Sequence, residues 1–404
     1  MKFTRKLKVP GLITAAALAV PVSMAFLAIH ASQSLANNQA NSPQMNGQVM
    51  IAPVTKPKIQ LAILLDTSSS MDGLIDQARQ QIWHVVNEFS SATQHGIKPV
   101  LEVAVFEYGN NNLAAKNGYI RQVSALTGEL DQVSEALFSL TTNGGEEYCG
   151  LVIQHAVSQL KWSDSNNDIK AIFIAGNEPF TQGPTPFREA IAAAKTKGIV
   201  VNTIHAGGQA EGVSTGWKDG AILAGGNFMS IDHNHQVAHI NAPQDKRIAE
   251  LNAQLNETYI PYGDEGKAKH ERQIAQDSNS ADVSGGMLAK RARSKVSSYY
   301  ENSSWDLVDA HTNGKVDLDS VEEERLPEPM RDMSKGERKA YVEKAANERK
   351  KKQSEILALS KERDAYVAEQ RKKQSEKNVS TVEDALIGAV RKQGEDKRFE
   401  FSTN

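Results

Sequence analysis

The sequence has little cysteine, no excess of charge of one sign and only one long hydrophobic run. Its 404 residues include a single cysteine, Cys149, so no disulfide can form within the chain. Lysine and arginine number 46 against 49 aspartates and glutamates, and this balance excludes a chain-wide electrostatic footprint for nucleic acid. A hydrophobic content of 40% excludes wholesale disorder. We therefore expect packed cores, and we expect no nucleic-acid partner.

The one long apolar run lies near the N-terminus. Four basic residues within the first eight precede an uncharged stretch over residues 11–29, a pattern typical of an export signal. Small residues at Ser34 and Ala36 predict cleavage after Ala36, so that residues 1–36 are a signal peptide and the protein is periplasmic or secreted. The run is also about long enough to cross a bilayer. An uncleaved inner-membrane anchor over residues 11–29 is therefore the alternative, and only then do we expect contact with a membrane.

After a polar linker over residues 37–57, residues 58–240 alternate between strand and helix patterns. Short apolar runs predict strands at 59–65, 100–108, 169–175 and 199–205. Amphipathic segments predict helices at 74–89, 130–140, 151–160 and 186–197. Such alternation predicts an α/β fold with a doubly wound, mainly parallel sheet and helices on both faces. Ligands of such sheets bind beyond the carboxyl ends of the strands.

Three oxygen-bearing side chains follow the first predicted strand at alternate positions: Asp66, Ser68 and Ser70. Oxygen ligands of this kind suit a hard divalent cation, for which Mg²⁺ is the first choice and Mn²⁺ or Ca²⁺ are alternatives. Two of the three groups are uncharged, so the bound ion keeps a net positive charge. A carboxylate from a protein partner can then complete the coordination.

These residues resemble the DxSxS signature of the von Willebrand factor A family. The resemblance covers about residues 57–240 and includes the stretch over 224–231, which is similar to the closing helix and last strand of the family. It implies a metal-ion-dependent adhesion site at the top of the sheet. The stretch over 255–263 also resembles that of bacterial exported members with a similar extension.

Two loops depart from the family pattern. In the second loop Glu146 stands after Gly-Gly, where the family has threonine or, in some branches, an acidic residue. In the third loop Gly176 replaces the usual aspartate, which leaves Asn177, Glu178 or water to supply the oxygen. The predicted metal ligands are therefore Asp66, Ser68, Ser70, Glu146 and Glu178. The added carboxylate predicts tighter metal retention and weaker attraction for a partner carboxylate.

Three simpler interpretations stand beside these predictions. Asp66 and the serines can serve only as caps of the following helix. The histidine-rich stretch over 232–239 has residue types that bind zinc, but a solvated polar loop is the favoured interpretation. Cys149 is expected to be a buried apolar side chain and not a reactive thiol.

The remainder of the chain is predicted to be helical. Residues 241–318 form a helical extension with helices at 243–259, 268–276 and 287–300, and residues 319–404 form a charged helical tail. Ser334 and Glu337 have the spacing of a capping box. Arg349 and Arg363 occupy seam positions of the heptad, which makes a poor coiled coil. A helix docked on its own domain or a partner is favoured, with self-association and contact with anionic lipid or nucleic acid as alternatives.

The favoured function is that of an exported, non-catalytic protein that binds a divalent cation and a protein partner in the cell envelope. One alternative is an envelope scaffold whose metal is purely structural and whose contacts are made by the helical tail. The other is a metal-dependent hydrolase, although no nucleophile arrangement for hydrolysis is recognisable in the sequence.

Overall fold

A six-stranded, mainly parallel sheet forms the centre of the structure, a computed structural model that describes residues 56–71, 86–89, 92–231, 240–374 and 382–401. Its strands are β1 (Lys58–Asp66), β3 (Val100–Tyr108), β4 (Ile120–Thr127), β5 (Ile169–Gly176), β6 (Val200–Ala206) and β7 (Phe228–Ile231). Their order is β4-β3-β1-β5-β6-β7, and only β4 runs antiparallel to its neighbour. The predicted fold class is confirmed.

The apolar run of β1 is buried on both faces of the sheet. Ile59, Leu61 and Ile63 belong to one core cluster, whereas Ala62 and Leu64 belong to the other. This division follows from the alternation of side chains along a strand. A strand with a helical layer on each side has no polar face, which is why its sequence reads as a continuous apolar run.

Helices cover both faces of the sheet. The helices within the sheet region are α1 (Leu130–Phe138), α2 (Cys149–Gln159), α3 (Phe187–Thr196), α4 (Gln209–Ser214) and α5 (Trp217–Leu223). Apolar side chains of α2, α3 and α5 pack in one core cluster, and those of α1 pack in the other. Residues 86–89 are also helical.

The antiparallel strand β4 was not predicted from the sequence. Among the described strands it pairs only with β3, and Arg121 and Gln122 on it are exposed. An edge strand with one solvent-facing side lacks the apolar run that marks a central strand.

The helical extension packs against the face of the sheet that α1 covers. It comprises α6 (Asp245–Asn256), α7 (Gly266–Val283), α8 (Gly285–Lys295) and α9 (Leu307–Thr312). Ile248 and Leu251 of α6 and Met287 of α8 share a core cluster with Ile59 and Leu61 of β1. The apolar stripe predicted for α6 is therefore buried against the sheet.

A buried network of charges joins α1 to α7 and α8. Arg291 donates from Nη2 to Asp131 Oδ1 at 2.8 Å and from Nε to Asp277 Oδ1 at 2.6 Å. Lys295 Nζ donates to the other oxygen of Asp277 at 2.7 Å, and the Tyr300 hydroxyl donates to Asp131 Oδ2 at 2.6 Å. Each buried charge thus has an opposite partner, which is the condition for tolerating charge in an interior.

The charged tail begins with the short helix α10 (Glu328–Arg331) and continues as the 40-residue helix α11 (Lys335–Gln374). At its start the Glu337 carboxylate accepts from Ser334 N at 2.8 Å, and Glu337 N donates to Ser334 Oγ at 3.4 Å, as the capping-box spacing predicts. Arg349 reaches from α11 into the extension, and Arg363 donates to Asp245 Oδ1 at 2.6 Å. The helix therefore docks on its own chain.

The end of the described chain returns to the sheet region. Helix α12 (Val382–Glu395) is followed by strand β8 (Phe399–Phe401), which pairs antiparallel with β2 (Ala92–Gln94). Gln94 Nε2 donates to the carbonyl oxygens of Lys397 at 2.8 Å and Asn167 at 2.9 Å. No local pattern predicted this pairing, because its two partners lie some three hundred residues apart in the sequence.

Several predictions fall outside the described residues: the export signal, the linker up to residue 55, helix residues 74–85 and the histidine-rich stretch over 232–239. Within the described ranges, no helix has both the length and the apolarity that crossing a membrane requires.

Candidate metal centre

The loop after β1 lies at the point where the strand order changes direction. Strand β1 pairs with β3 on one side and with β5 on the other, so the chain continues to opposite sides of β1. The crevice beyond such a point is where open α/β sheets bind ligands. Asp66 is the last residue of β1 and lies in register with Tyr108, the last residue of β3.

Asp66, Ser68 and Ser70 are brought together as the sequence predicts. Ser68 N donates to Asp66 Oδ1 at 2.7 Å, and the hydroxyl oxygens of Ser68 and Ser70 lie 2.7 Å apart. Thr67 lies between Asp66 and Ser68 in the sequence. Its hydroxyl turns away from these side chains and donates to the Tyr108 carbonyl oxygen at 3.2 Å. The alternate spacing in the sequence thus places the three oxygen-bearing side chains on one side of the loop.

The Asp66 carboxylate is fully buried, and its second oxygen, Oδ2, has no hydrogen-bond partner among the described residues. Burial, the largest cause, and the charge of Glu178 together raise the pKa of Asp66 to about 7, although contacts with Ser68 and with the Asn177 backbone lower it. A buried carboxylate oxygen without a partner is costly unless a cation or proton satisfies it. Helix capping alone does not account for this oxygen, because the Ser68 amide contacts Oδ1 only.

The carboxylate that the second loop turns toward Asp66 is Glu147. A Cβ atom built on Gly109 would lie 2.8 Å from Asp66 Oδ1 and 2.9 Å from Glu147 Cγ, so both side chains flank the same glycine. Burial, the largest cause, and the charges of Asp66 and Glu178 together raise the pKa of Glu147 to about 7. Glu146, by contrast, is exposed.

The ligand set predicted from the sequence contains Glu146, whereas the structure places Glu147 beside Asp66. In the described part of the chain, no hydrogen bond joins Glu146 to Asp66, Ser68 or Ser70. The acidic pair after Gly-Gly was visible in the sequence, but which member faces inward depends on how the loop enters α2.

The third loop supplies an amide oxygen to the cluster. Ser70 Oγ donates to Asn177 Oδ1 at 3.0 Å. Glu178 is half-buried and interacts electrostatically with both Asp66 and Glu147. A Cβ atom on Gly176 would lie 3.1 Å from Asp66 Oδ2 and 2.5 Å from the Tyr108 hydroxyl. The Tyr108 hydroxyl, which donates to the Ala175 carbonyl oxygen, therefore fills space that a side chain at position 176 needs.

The residues present fit a hard divalent cation. The unpartnered Asp66 Oδ2, the paired hydroxyls of Ser68 and Ser70, and the Asn177 amide oxygen are all oxygen donors of the kind such ions prefer. Within the described ranges, no three histidine, cysteine, aspartate or glutamate side chains are grouped so as to hold a metal by themselves. An ion here therefore depends on the serine hydroxyls, the amide and water as well as on the carboxylates.

Cys149 lies beneath this cluster as a buried side chain. Its Sγ is 3.7 Å from the Tyr108 hydroxyl oxygen. Burial raises the pKa of the Cys149 thiol far above its usual range. A thiol held in its neutral form is a poor nucleophile, as the sequence-based interpretation expected.

Comparison with known proteins agrees with this geometry. Residues 60–213 match the family model of the von Willebrand factor type A domain. This part of the chain is a von Willebrand factor A domain. The match covers less than half of the chain. Domains of this type are a protein-interaction and adhesion fold that can bind metal at a MIDAS site. No curated protein matches the sequence.

Several solved structures are similar to part of the chain. Proximal thread matrix protein 1 from the mussel byssus, described with a zinc-occupied MIDAS motif, is 12% identical with a TM-score of 0.33. That match covers 45% of this chain and 43% of the mussel protein, so the chain spans less than half of its length. The conserved hypothetical protein BatB from Bacteroides thetaiotaomicron is 16% identical with a TM-score of 0.34, covering 44% of this chain and 92% of BatB.

The pilus adhesin SpaC from Lactobacillus rhamnosus GG is 14% identical with a TM-score of 0.33, covering 44% of this chain and 28% of SpaC. The assignment of the domain rests on the family model and on the fold described above.

Proposed function

We propose that the von Willebrand factor A domain of this chain binds a divalent cation at Asp66, Ser68 and Ser70, with Mg²⁺ as the first candidate. Through the ion and the surrounding loops it binds a protein partner without catalysing a reaction. The export pattern over residues 1–36 supports an interaction outside the cytoplasm, in the cell envelope or beyond it.

The observation that supports the proposal most directly is the unpartnered Asp66 Oδ2. It is a fully buried carboxylate oxygen beside two serine hydroxyls that lie 2.7 Å apart. A cation bound there satisfies this oxygen and favours the ionised form of a carboxyl whose pKa is otherwise raised to about 7. Glu147 and Glu178 add negative charge at the same point.

Isothermal titration calorimetry on the purified full chain tests metal binding with Mg²⁺, Mn²⁺, Ca²⁺ and Zn²⁺ in turn. We expect binding by the unaltered chain and loss of most of the affinity in Asp66→Ala and Ser68→Ala. Ser69→Ala is the matched control, because Ser69 lies in the same loop, is exposed and sits between the two serines that face Asp66. Absence of binding, or equal binding by Asp66→Ala, would contradict the proposal.

The structure also determines how partner binding is best tested. Deleting residues 320–404 would remove Arg349, whose guanidinium is buried in the extension, so the deletion would perturb folding as well as contacts. Single substitutions at the metal loops are more specific. A pull-down from envelope extracts with and without chelator is expected to recover a partner only when metal is present, and Ser68→Ala is expected to abolish the recovery.

The scaffold alternative requires contacts through the helical tail. Helix α11 places Arg349 and Arg363 in intramolecular contacts, so only its outer face is free for such a role. The hydrolase alternative predicts turnover of a generic ester or phosphate substrate that disappears with chelator. Turnover of that kind would replace the proposal that the domain only binds.

A further inference from the structure

A cleft of about 650 Å³ lies at the start of the edge strand β4, and its volume is within the range of ligand-binding pockets. Its lining comes from the turn over residues 113–118, the first residues of β4 and one side of helix α2. The helix contributes Leu151, His155 and Gln159, which are spaced four residues apart and so share one face. We call this feature the β4 cleft. None of the predicted metal ligands belongs to its lining.

The turn that forms one wall of the β4 cleft packs closely on α2. Gly118 has a φ of 69°, in the left-handed region that favours glycine, and a Cβ atom there would collide with Leu151 Cδ2. The ring of Tyr119, the next residue, packs edge-to-face against that of Tyr148, with ring centres 6.2 Å apart. These contacts leave the turn little freedom to close the cleft.

The side chains of the β4 cleft favour a negatively charged ligand group. The lining contains no aspartate or glutamate among the described residues, and its nitrogen-bearing side chains are those of Lys116, Asn117, Arg121, Gln122, His155 and Gln159. Arg121 already pairs with the buried Glu107, at 2.5 Å between Nη2 and Oε1. Lys116 is exposed and forms no ion pair with another described residue, so it supplies the available positive charge. Burial lowers the pKa of His155, so at neutral pH its imidazole is an uncharged hydrogen-bonding group.

Strand β4 adds backbone groups beside the cleft. It is the last strand of the sheet, with β3 as its single neighbour among the described strands, so its outer edge presents N–H and C=O groups. Residues 120–122 pair with residues 106–108 in regular register, whereas the register is interrupted between residues 122 and 127. Because irregular edges resist further strand pairing, the regular part beside the cleft is where an added strand fits.

We propose that the β4 cleft and the adjoining edge of β4 bind an extended segment of a partner protein, with an aspartate or glutamate side chain of that segment facing Lys116. The backbone of the segment adds to the sheet as a strand at residues 120–122, a recurring mode of peptide recognition. A segment with lysine or arginine at the same place meets like charge, which is unfavourable at an interface. The interaction needs no metal, so it is a second binding surface beyond the proposed function.

Fluorescence anisotropy on the full chain tests the inference with labelled peptides of equal length, in buffer that contains a chelator. The acidic peptide has an aspartate at the centre of a threonine-rich sequence, and the basic peptide has a lysine there instead. We expect the acidic peptide to bind more tightly than the basic one. A third peptide has the acidic sequence with N-methyl groups on its backbone amides. It cannot donate hydrogen bonds to a strand, and we expect it not to bind.

The decisive variant is Lys116→Gln. It is expected to weaken binding of the acidic peptide about two- to fivefold, the range for one exposed charge pair, and to leave Mg²⁺ binding unchanged. Lys195→Gln on α3 is the matched control, because Lys195 is exposed and lies outside the β4 cleft. Its loss should leave the affinity for the acidic peptide unchanged.

Four outcomes would overturn the inference. The first two are absence of binding by the acidic peptide and equal affinity for the acidic and basic peptides. Equal weakening by Lys116→Gln and Lys195→Gln is the third, because the binding would then be spread over the surface. Binding of the N-methylated peptide is the fourth, because a carboxylate alone would then occupy the cleft.

Two further measurements separate this inference from other interpretations. A chain that is dimeric without peptide and monomeric with it, as measured by sedimentation, would assign the edge of β4 to a second copy and overturn the inference. Calorimetry with Mg²⁺ reports on the proposed function independently, because the peptide titrations are made in chelator. Failure of the peptide to bind therefore leaves the proposed metal site standing.

Discussion

Arg349 of helix α11 forms a two-pronged ion pair with Asp306 in the helical extension. Nη1 donates to Asp306 Oδ2 at 2.7 Å, and Nη2 donates to Asp306 Oδ1 at 3.1 Å. The guanidinium carbon also lies 4.0 Å from the centre of the Tyr259 ring. Both partners of the pair are buried, so the contact fixes the long charged helix to the extension.

Arg349→Met is expected to destabilise the chain by about 3 to 5 kcal/mol, because it leaves the Asp306 carboxylate buried without its cation. Chemical denaturation followed by circular dichroism measures the change in the free energy of unfolding. Lys350→Met is the control, because Lys350 is exposed on the same helix and its loss should cost about 0.5 kcal/mol or less. Similar losses of unfolding free energy in both variants would show that apolar contacts alone hold α11 on the extension.

Asp277 predicts an acid-sensitive contribution to stability. Burial by itself raises the pKa of Asp277, but the positive charges of Lys295 and Arg291 outweigh it and hold the pKa well below its usual range. Because the folded pKa lies below the unfolded one, the contribution is fully present above about pH 4, the ordinary aspartate range. It is lost as the pH falls from there toward the folded pKa.

Unfolding midpoints measured against pH test this contribution. Asp277→Asn is expected to be less stable near neutral pH and to lose less stability than the unaltered chain as the pH falls below 4. Asp282→Asn is the control, since Asp282 is exposed on the same helix, α7. An acid profile that is the same for Asp277→Asn and the unaltered chain would contradict the assigned role.

Gly176→Asp restores the residue that the family usually has in the third loop, yet we expect it to destabilise the domain by about 1 to 3 kcal/mol. The new Cβ would lie 2.5 Å from the hydroxyl of Tyr108, a buried side chain with no room to move away. Combining the change with Tyr108→Phe is expected to recover part of the loss, because the obstructing oxygen is removed.

Thermal unfolding of the purified variants measures both effects. Gly208→Asp is the matched control, because a Cβ at Gly208 meets no atom within 4 Å. If Gly176→Asp is as stable as Gly208→Asp, the nearby Tyr108 hydroxyl does not require a glycine at position 176.

Local sequence predicted the strands and the first metal loop well. Strand β3 has the predicted ends, and the predicted ends of β1 differ from the observed ones by one residue, because apolar runs between polar residues mark strands buried on both faces. The convergence of Asp66, Ser68 and Ser70 was also predictable, since a loop that turns directly after a buried strand can aim all three side chains at one point.

Contacts between distant segments could not be predicted in this way. Arg349 and Arg363 were misfits in a heptad, but each has a buried or half-buried carboxylate partner elsewhere in the chain. Strand β8 pairs with β2 across most of the sequence. No local period encodes such partners, because a charged side chain on a helix looks the same whether it faces water or a carboxylate.

The sequence by itself determined the α/β alternation, the position of the oxygen-rich loop after β1 and the glycine in the third loop. Only the tertiary structure decided that Glu147 and not Glu146 lies against Asp66, that Tyr108 fills the space beside Gly176, and that the charged helix docks through buried arginines. The physical reason is the same in each case. Periodicity specifies which side of its own element a residue occupies, whereas its partner and its solvent exposure depend on how separate elements pack.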